Sequence, residues 1–436
     1  MKFKLNYLKI ALCLGSSVAL SISHAGTLQT LTDEQLSEST GQALMSLSYL
    51  APTDSTNPMK NIVTDGKSNT VGFYKLGLEA DLEINANIKK LQLGCGGVNG
   101  AGACDIDIDN FSLSGNATTR EGRVSSDAVL SNPFIEFAIK NPDSASTRSI
   151  EGFRISAEKA FGMLTFGSEN SSTANGINSF SGYMKLASAS GNATTEARTM
   201  TQALGPMTGR IKIENAWPLD SDPRDFKADT YSLNLQSTGV PFATRTQEVY
   251  GNRMTSVNLT ADAVIPIINF SGPLAASLKI AGIPITLNKN VTGKIANLGV
   301  KIDIDQSLGM IHSIPVNGNP FSLSLQSNDI HWTGASVAAS KGWWMAFENE
   351  INLGSVTPAD NVKITDDLLK QVLPKVNQYL YDVPITCNGI GGCLSGELPI
   401  ANPVDLNGQI VNLPLSNLKL SAQDFAPNCY GSLKFC

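Results

Sequence analysis

The chain has 436 residues and a formal net charge of −6, with 38 acidic residues against 32 basic ones and only three histidines. Such an acidic surface repels nucleic acid and anionic lipid, and so few histidines exclude a multi-histidine zinc site. A hydrophobic content of 42% excludes wholesale disorder, while a charged fraction of 16%, 38 glycines and abundant Ser, Thr and Asn point to an extracellular all-β protein with two or three domains' worth of core.

Residues 1–25 read as an export signal. Lys2, Lys4 and Lys9 precede an apolar run from Ile10 to Ser23, and Ser23-His24-Ala25 places small residues where a signal peptidase reads them. Cleavage after Ala25 is expected, with Gly26 opening the mature chain. The run is shorter than a bilayer span and is interrupted by Gly15, Ser16 and Ser17, which argues against a retained anchor. Three basic residues leave with the leader, so 29 remain against 38 acidic ones, a formal charge of −9. Cys13 leaves too, and six cysteines remain, an even set suited to an oxidising compartment. No later segment is apolar enough to cross a membrane as a helix.

Within residues 26–48, the run Leu31-Thr32-Asp33-Glu34-Gln35-Leu36 through Thr40-Gly41 predicts a short N-terminal helix. Thr32 is its N-cap, Gln35 completes a capping box, Asp33 and Glu34 face the positive end of the dipole, and Gly41 stops it.

Residues 49–175 predict a β region. From Leu76 through Leu78, Ala80, Leu82, Ile84, Ala86 and Ile88 every second residue is apolar, the pattern of one half-buried strand about 40 Å long. Cys95 and Cys104 flank a glycine-rich octapeptide, where glycine permits the positive φ of a tight loop. Asp105, Asp107 and Asp109 then alternate with Ile106 and Ile108, which puts the three acids on one strand face. Carboxylates at this spacing can share a hard cation, but a calcium loop bends around its ion. An extended alternation reads instead as a solvated acidic face that discourages edge pairing.

Residues 176–345 carry an internal repeat. Ser179-Phe180-Ser181-Gly182 returns as Asn269-Phe270-Ser271-Gly272, and Tyr231-Ser232-Leu233-Asn234-Leu235-Gln236-Ser237 returns as Phe321-Ser322-Leu323-Ser324-Leu325-Gln326-Ser327, both at a shift of 90. Between them Ile211-Lys212-Ile213-Glu214 matches Ile302-Asp303-Ile304-Asp305 at 91. The order predicts two stacked or paired copies of a multi-strand unit. Asp303 and Asp305 form a second acidic alternation. Trp343 and Trp344 are adjacent, so in a strand they point to opposite faces, and the outward one is either a partner contact or an edge residue.

Residues 346–436 predict one amphipathic helix over Thr365 to Leu380. Its stripe is Leu368, Leu369, Val372, Leu373, Val376 and Leu380, and Pro374 predicts a kink or a division. Cys387 and Cys393 flank Asn-Gly-Ile-Gly-Gly, and Cys429 and Cys436 lie seven residues apart. Six cysteines allow 15 connectivities; the spacing favours the three local pairs Cys95 with Cys104, Cys387 with Cys393, and Cys429 with Cys436.

Chemistry is sparse. There is no G-x-S-x-G elbow, zinc-protease motif, phosphate loop or dinucleotide fingerprint. The S-x-x-K matches at Ser156 to Lys159 and Ser416 to Lys419 lack the companion motifs of a serine acyl-enzyme. His331, beside Trp332, reads as a hydrogen-bonded strand-end residue. The sequence therefore reads as a non-enzyme without cofactor or metal.

The segment from Leu31 to Gly41 resembles double-glycine leaders, with Leu31, Leu36 and Gly41 in register and Gln42 where those leaders carry a second glycine. Placed behind a signal peptide and before a glycine-rich alternating body, it also resembles Fil-type pilus-system surface proteins of Gram-negative bacteria. That resemblance implies a cell-surface or outer-membrane-associated protein whose partners are other pilus or cell-envelope proteins. The residues predict a mainly β fold of elongated antiparallel sheets, sandwich or solenoid, in a structural or adhesive component of an appendage. An outer-membrane β-barrel and an exported hydrolase with an unfamiliar site are the alternatives.

Overall fold

A computed structural model describes residues 45–420, apart from 65–66, 69, 118, 120–121, 124, 169–172, 216–221, 281, 359–360, 395–396 and 401. The signal segment, the expected cleavage between Ala25 and Gly26, the helix expected over Leu31 to Gly41, and the pair Cys429 and Cys436 lie outside the described residues. The fold is mainly β, as the alternation predicts.

In chain order, the strands that matter below are β1 (Met45–Leu50), β2 (Val71–Leu78), β3 (Asp81–Ile84), β4 (Ala86–Leu93), β5 (Ile106–Ser114), β6 (Ala128–Lys140), β7 (Ser149–Phe161), β8 (Ile177–Leu186), β9 (Met207–Glu214), β10 (Arg224–Leu235), β11 (Gln247–Met254), β12 (Ser256–Ile280), β13 (Ile283–Ser307), β14 (Phe321–Gln326) and β15 (Gly342–Ile351). After helix α1 (Asp366–Asp382) come β16 (Ile385–Asn388), a helical turn α2 (Gly389–Leu394) and β17 (Ile410–Ser416).

These strands form two 13-stranded sheets. The first runs β1-β2-β6-β7-β14-β15-β8-β5 and ends in two short strands, with β3 on β6, β4 on β5 and β11 on β8. The second is built on β9, β10, β12 and β13. Neither path closes into a barrel among the described residues, which removes the barrel alternative for this part of the chain. The pairing is mixed: β8 with β15, β9 with β16 and β13 with β17 are parallel.

One buried cluster joins Ile106, Ile108 and Phe180 of the first sheet to Ile211, Leu233, Phe270 and Ile302 of the second. The opposite face of the first sheet carries a smaller cluster of Val71, Phe73, Ala138, Trp332, Trp344 and Ala346, to which Met59 and Ile330 also belong. Segments 51–62 and 327–341 therefore cover that opposite face.

The centre of the second sheet is the hairpin of β12 and β13, two strands of 25 residues joined through Gly282 at φ 81°. The alternation of buried residues slips once, at Pro266 opposite Asn297 (φ 56°), where proline offers no donor and asparagine takes the left-handed conformation of a bulge.

Several expectations change. The strand expected from Leu76 to Ile88 is three strands, β2, β3 and β4. The Ala80 N–H turns back to the Leu78 carbonyl (3.0 Å), the Ala80 carbonyl receives Asn132 N–H (3.0 Å), and Asn85 donates to the carbonyls of Arg123 (3.1 Å) and Ser126 (3.0 Å). Those side-branch bonds draw the backbone out of the ladder, and β4 moves to a different neighbour.

The segment set at 26–48 overlaps β1, which already begins at Met45. The boundary at 345/346 falls inside β15, and β14 with β15 inserts between β7 and β8, so the chain is interleaved between the sheets. The repeated segments do not share neighbours either. Phe180 lies in the first sheet and Phe270 in the second, while Leu233 lies in the second and Leu323 in the first.

What the repeat does share is local. A Cβ on Gly182 would meet the Met345 carbonyl at 2.0 Å, and one on Gly272 would meet the Ser232 carbonyl at 2.0 Å. In both copies glycine permits a close approach of strands beside a buried phenylalanine.

Helix α1 forms as the stripe predicts. Thr365 accepts the Leu368 N–H at 3.2 Å, and the stripe residues Leu368, Leu369, Val372, Leu373, Val376 and Leu380 are all buried. The helix is not divided at Pro374. Both Pro374 and Lys370, whose carbonyl loses its donor there, lie on the exposed side, where water can take the missing bond. The glycines before Cys393 form the turn α2 in place of an open loop.

Candidate functional site

Cys95 and Cys104 are bonded to each other. Cys387 is disulfide-bonded as well, and Cys393 lies on α2 six residues further on.

Asp105 departs from the expectation of a solvated acidic face. It sits ahead of β5, is 1% exposed, and accepts hydrogen bonds from Arg253 Nε (3.0 Å), Asn99 Nδ2 (2.9 Å) and the Trp343 N–H (3.0 Å). Arg253 also donates to the carbonyls of Gly94 (3.3 Å) and Gly100 (3.1 Å). The carboxylate thereby ties the cysteine-closed loop to β15 and to the end of β11. Gly94 (φ 69°) and Gly342 (φ 97°) make room for it, because a Cβ at either would meet Asp105 Oδ2 at 2.2 and 2.5 Å.

Asp107 and Asp109 share one face, as the spacing predicts, but their occupant is an ammonium. Lys90 Nζ lies 2.5 Å from Asp107 and 2.9 Å from Asp109, and Asn178 bridges both carboxylates at 3.1 and 2.7 Å. Burial opposes the charge on Asp107, yet hydrogen bonds from Lys90, Gln92 and Asn178 and the Lys90 charge together hold its pKa below the ordinary value. Burial likewise opposes the Lys90 charge, and the same two aspartates outweigh it and raise its pKa. Asp303 and Asp305 are exposed on β13, the solvated acidic face that the alternation predicts.

The histidines hydrogen-bond to main chain: His331 Nε2 to the Ala335 carbonyl (2.9 Å) and His312 Nδ1 to the Phe166 carbonyl (3.2 Å). Ser156 donates to the Phe321 carbonyl (3.0 Å). A buried ion pair, Arg154 to Glu136 at 2.5 Å, is held further by Thr333, which bonds to both partners, and by the Trp332 ring 5.4 Å from the guanidinium.

The feature that sequence reading misses is a bare apolar face on the first sheet. Cross-strand register places Tyr49, Tyr74, Phe137, Phe153, Leu325 and Trp343 in one row across β1, β2, β6, β7, β14 and β15. The next row on the same face is Leu47, Leu76, Ile135, Ile155, Leu323 and Met345. A third begins Met45, Leu78 and ends Phe321, Phe347.

At the β15 end the rows enter the main core: Met345 and Phe347 are buried, and Trp343 meets Phe153 edge-on at 6.0 Å. Toward β1 nothing described covers them. Leu47 is 74% exposed, Met45 61% and Ile155 50%. Tyr49 and Tyr74 stack on each other at 4.4 Å.

The first sheet is thus four strands wider, by β1, β2, β6 and β7, than the sheet that covers it, since Phe321 and Leu323 of β14 already pack against the main core. Four strands about 4.8 Å apart and three rows about 6.8 Å apart give a footprint on the order of 400 Å². A patch of that size ranks with the largest on a monomer and often marks a functional surface. The signal was present in Met45-Ser-Leu-Ser-Tyr and in the apolar alternation of β6, but a period of two says which residues share a face and not whether the face is covered.

Comparisons of the chain with protein-family models, with curated proteins and with solved structures find no match.

Proposed function

We propose that the protein is an exported cell-surface component, structural or adhesive, associated with a pilus or similar appendage, and that the bare face of the first sheet is its assembly contact. The uncovered three-row apolar face carries this reading, because such a surface is costly to leave in water and acts by being covered. The tripartite leader before Gly26, the acidic balance and the Cys95–Cys104 bond agree with an extracytoplasmic destination. His312, His331 and Ser156 are engaged in main-chain hydrogen bonds that hold the fold, which favours a structural role over the hydrolase alternative.

The test is fractionation of the producing cell with N-terminal sequencing. An appendage component begins at Gly26 and is released with surface fibres by shearing, and loss of its gene weakens fibre assembly or attachment. Retention in the cytoplasm with an intact leader overturns the proposal.

A further inference from the structure

We infer that the bare face of the first sheet is the contact between two copies of this chain, packed sheet on sheet about a two-fold axis. The inference rests on the assembly reading of that face and names its occupant.

Charge is the first argument. The chain carries a net charge of −6, and −9 without its leader, so two copies that meet through most of the surface bring like charges together. The three rows hold no carboxylate, ammonium or guanidinium. The charged side chains that alternate with these rows, Lys75, Glu136 and Arg154, lie on the opposite face. A patch without charge in its rows meets its own image without that repulsion.

Shape is the second. From β14 onward the same rows already pack under the second sheet, where Phe321 and Leu323 lie against the core and Met345 and Phe347 join it. The face is therefore formed to receive another sheet about 10 Å away, and a second copy supplies one.

Size is the third. Two footprints on the order of 400 Å² give roughly 800 Å², short of the roughly 1,000 Å² of a stable interface, so the dimer is expected to be weak, reversible and concentration-dependent. The leader-like segment from Leu31 to Gly41 is too small for the same task. An eleven-residue helix is about 16 Å long and about 10 Å wide, less than half of the face.

Sedimentation equilibrium of the mature chain from about 1 to about 100 μM tests the inference. The expected result is a monomer–dimer equilibrium. Leu47→Asp with Ile155→Asp should weaken it by on the order of 100-fold or more, with unchanged far-UV circular dichroism and melting temperature. Should that pair fail to fold, Leu47→Asn with Ile155→Thr should give a smaller shift in the same direction.

A wild-type monomer at the highest concentration overturns the inference, as does a dimer indifferent to both pairs. If the wild type is monomeric and Leu31→Asp with Leu36→Asp then exposes the face to a hydrophobic dye, the chain's own N-terminal segment is the occupant. If it is monomeric and sediments with phosphatidylethanolamine vesicles, a lipid surface is. A monomer that is still shed with surface fibres removes the second copy and leaves the surface assignment standing.

Discussion

Removing the Asp105 carboxylate is expected to loosen the cysteine-closed loop and the start of β15 together. In Asp105→Ala, Trp343 N–H loses its acceptor, Asn99 Nδ2 keeps only the Lys341 carbonyl, and Arg253 loses one of three. Breaking a buried ion pair costs about 3–5 kcal/mol. Arg253 retains the Gly94 and Gly100 carbonyls and its side chain is 17% exposed, which keeps part of its solvation. That places Asp105→Ala near the lower end, at about 3 kcal/mol.

Arg253→Met strands a carboxylate that is 1% exposed with two neutral donors, and is expected to cost about 4 kcal/mol. In the double variant neither charge is stranded, so the loss should fall below the sum of the single losses by about 2 kcal/mol or more. Urea unfolding at neutral pH, read at constant slope, gives these values, and hydrogen exchange at the Trp343 amide locates the effect. An Asp105→Ala variant within about 0.5 kcal/mol of wild type, or strict additivity in the double variant, would show that Asp105 and Arg253 do not hold this corner.

Three further outcomes follow from local geometry. The Asp107 carboxylate should titrate below its ordinary value by carbon NMR, and Lys90→Met should raise it. Because its folded pKa is depressed, Asp107 stabilises the fold above its unfolded value and that contribution disappears as pH falls through the folded value. Lys90, whose pKa is raised, loses its contribution only in strong alkali. Gly182→Ala should lower stability by about 2–3 kcal/mol in thermal unfolding, since its Cβ would stand 2.0 Å from the Met345 carbonyl; a neutral outcome would contradict the close approach of β8 and β15. Thr365→Ala should cost about 1 kcal/mol by removing the acceptor of the Leu368 N–H, and unchanged stability would mean that the cap does not act.

What the sequence makes legible here is whatever a few neighbouring residues determine. Thr365 with its spaced leucines specifies α1, the glycines between Cys95 and Cys104 specify a closable loop, and Asp303 with Asp305 specifies a wet face. What it hides is set by partners far along the chain. The break after Leu78 depends on Asn132, the burial of Asp105 depends on Arg253, and the place of β14 depends on β7, laid down some 165 residues earlier. The repeat near residues 180 and 270 shows the same divide: phenylalanine beside a close-approach glycine recurs as a local device, whereas the sheet that receives it is decided by long-range pairing. The bare face needs both kinds of information. Its rows are written in the alternation of β1, β2, β6 and β7, but their lack of a cover follows from the second sheet reaching only as far as β14.

Hydroxyl-radical footprinting of the protein on its producing cells, compared with the same protein purified and dilute, tests the central claim most directly. Met45, Tyr49 and Tyr74 report the bare face, and exposed Tyr250 on β11 serves as the control away from it. A face that is covered on assembly predicts strong oxidation of the three residues in dilute solution and protection on the cell, with Tyr250 unchanged. Equal labelling of Met45, Tyr49 and Tyr74 in both states would contradict the claim, because the apolar rows would then be facing water where the protein works.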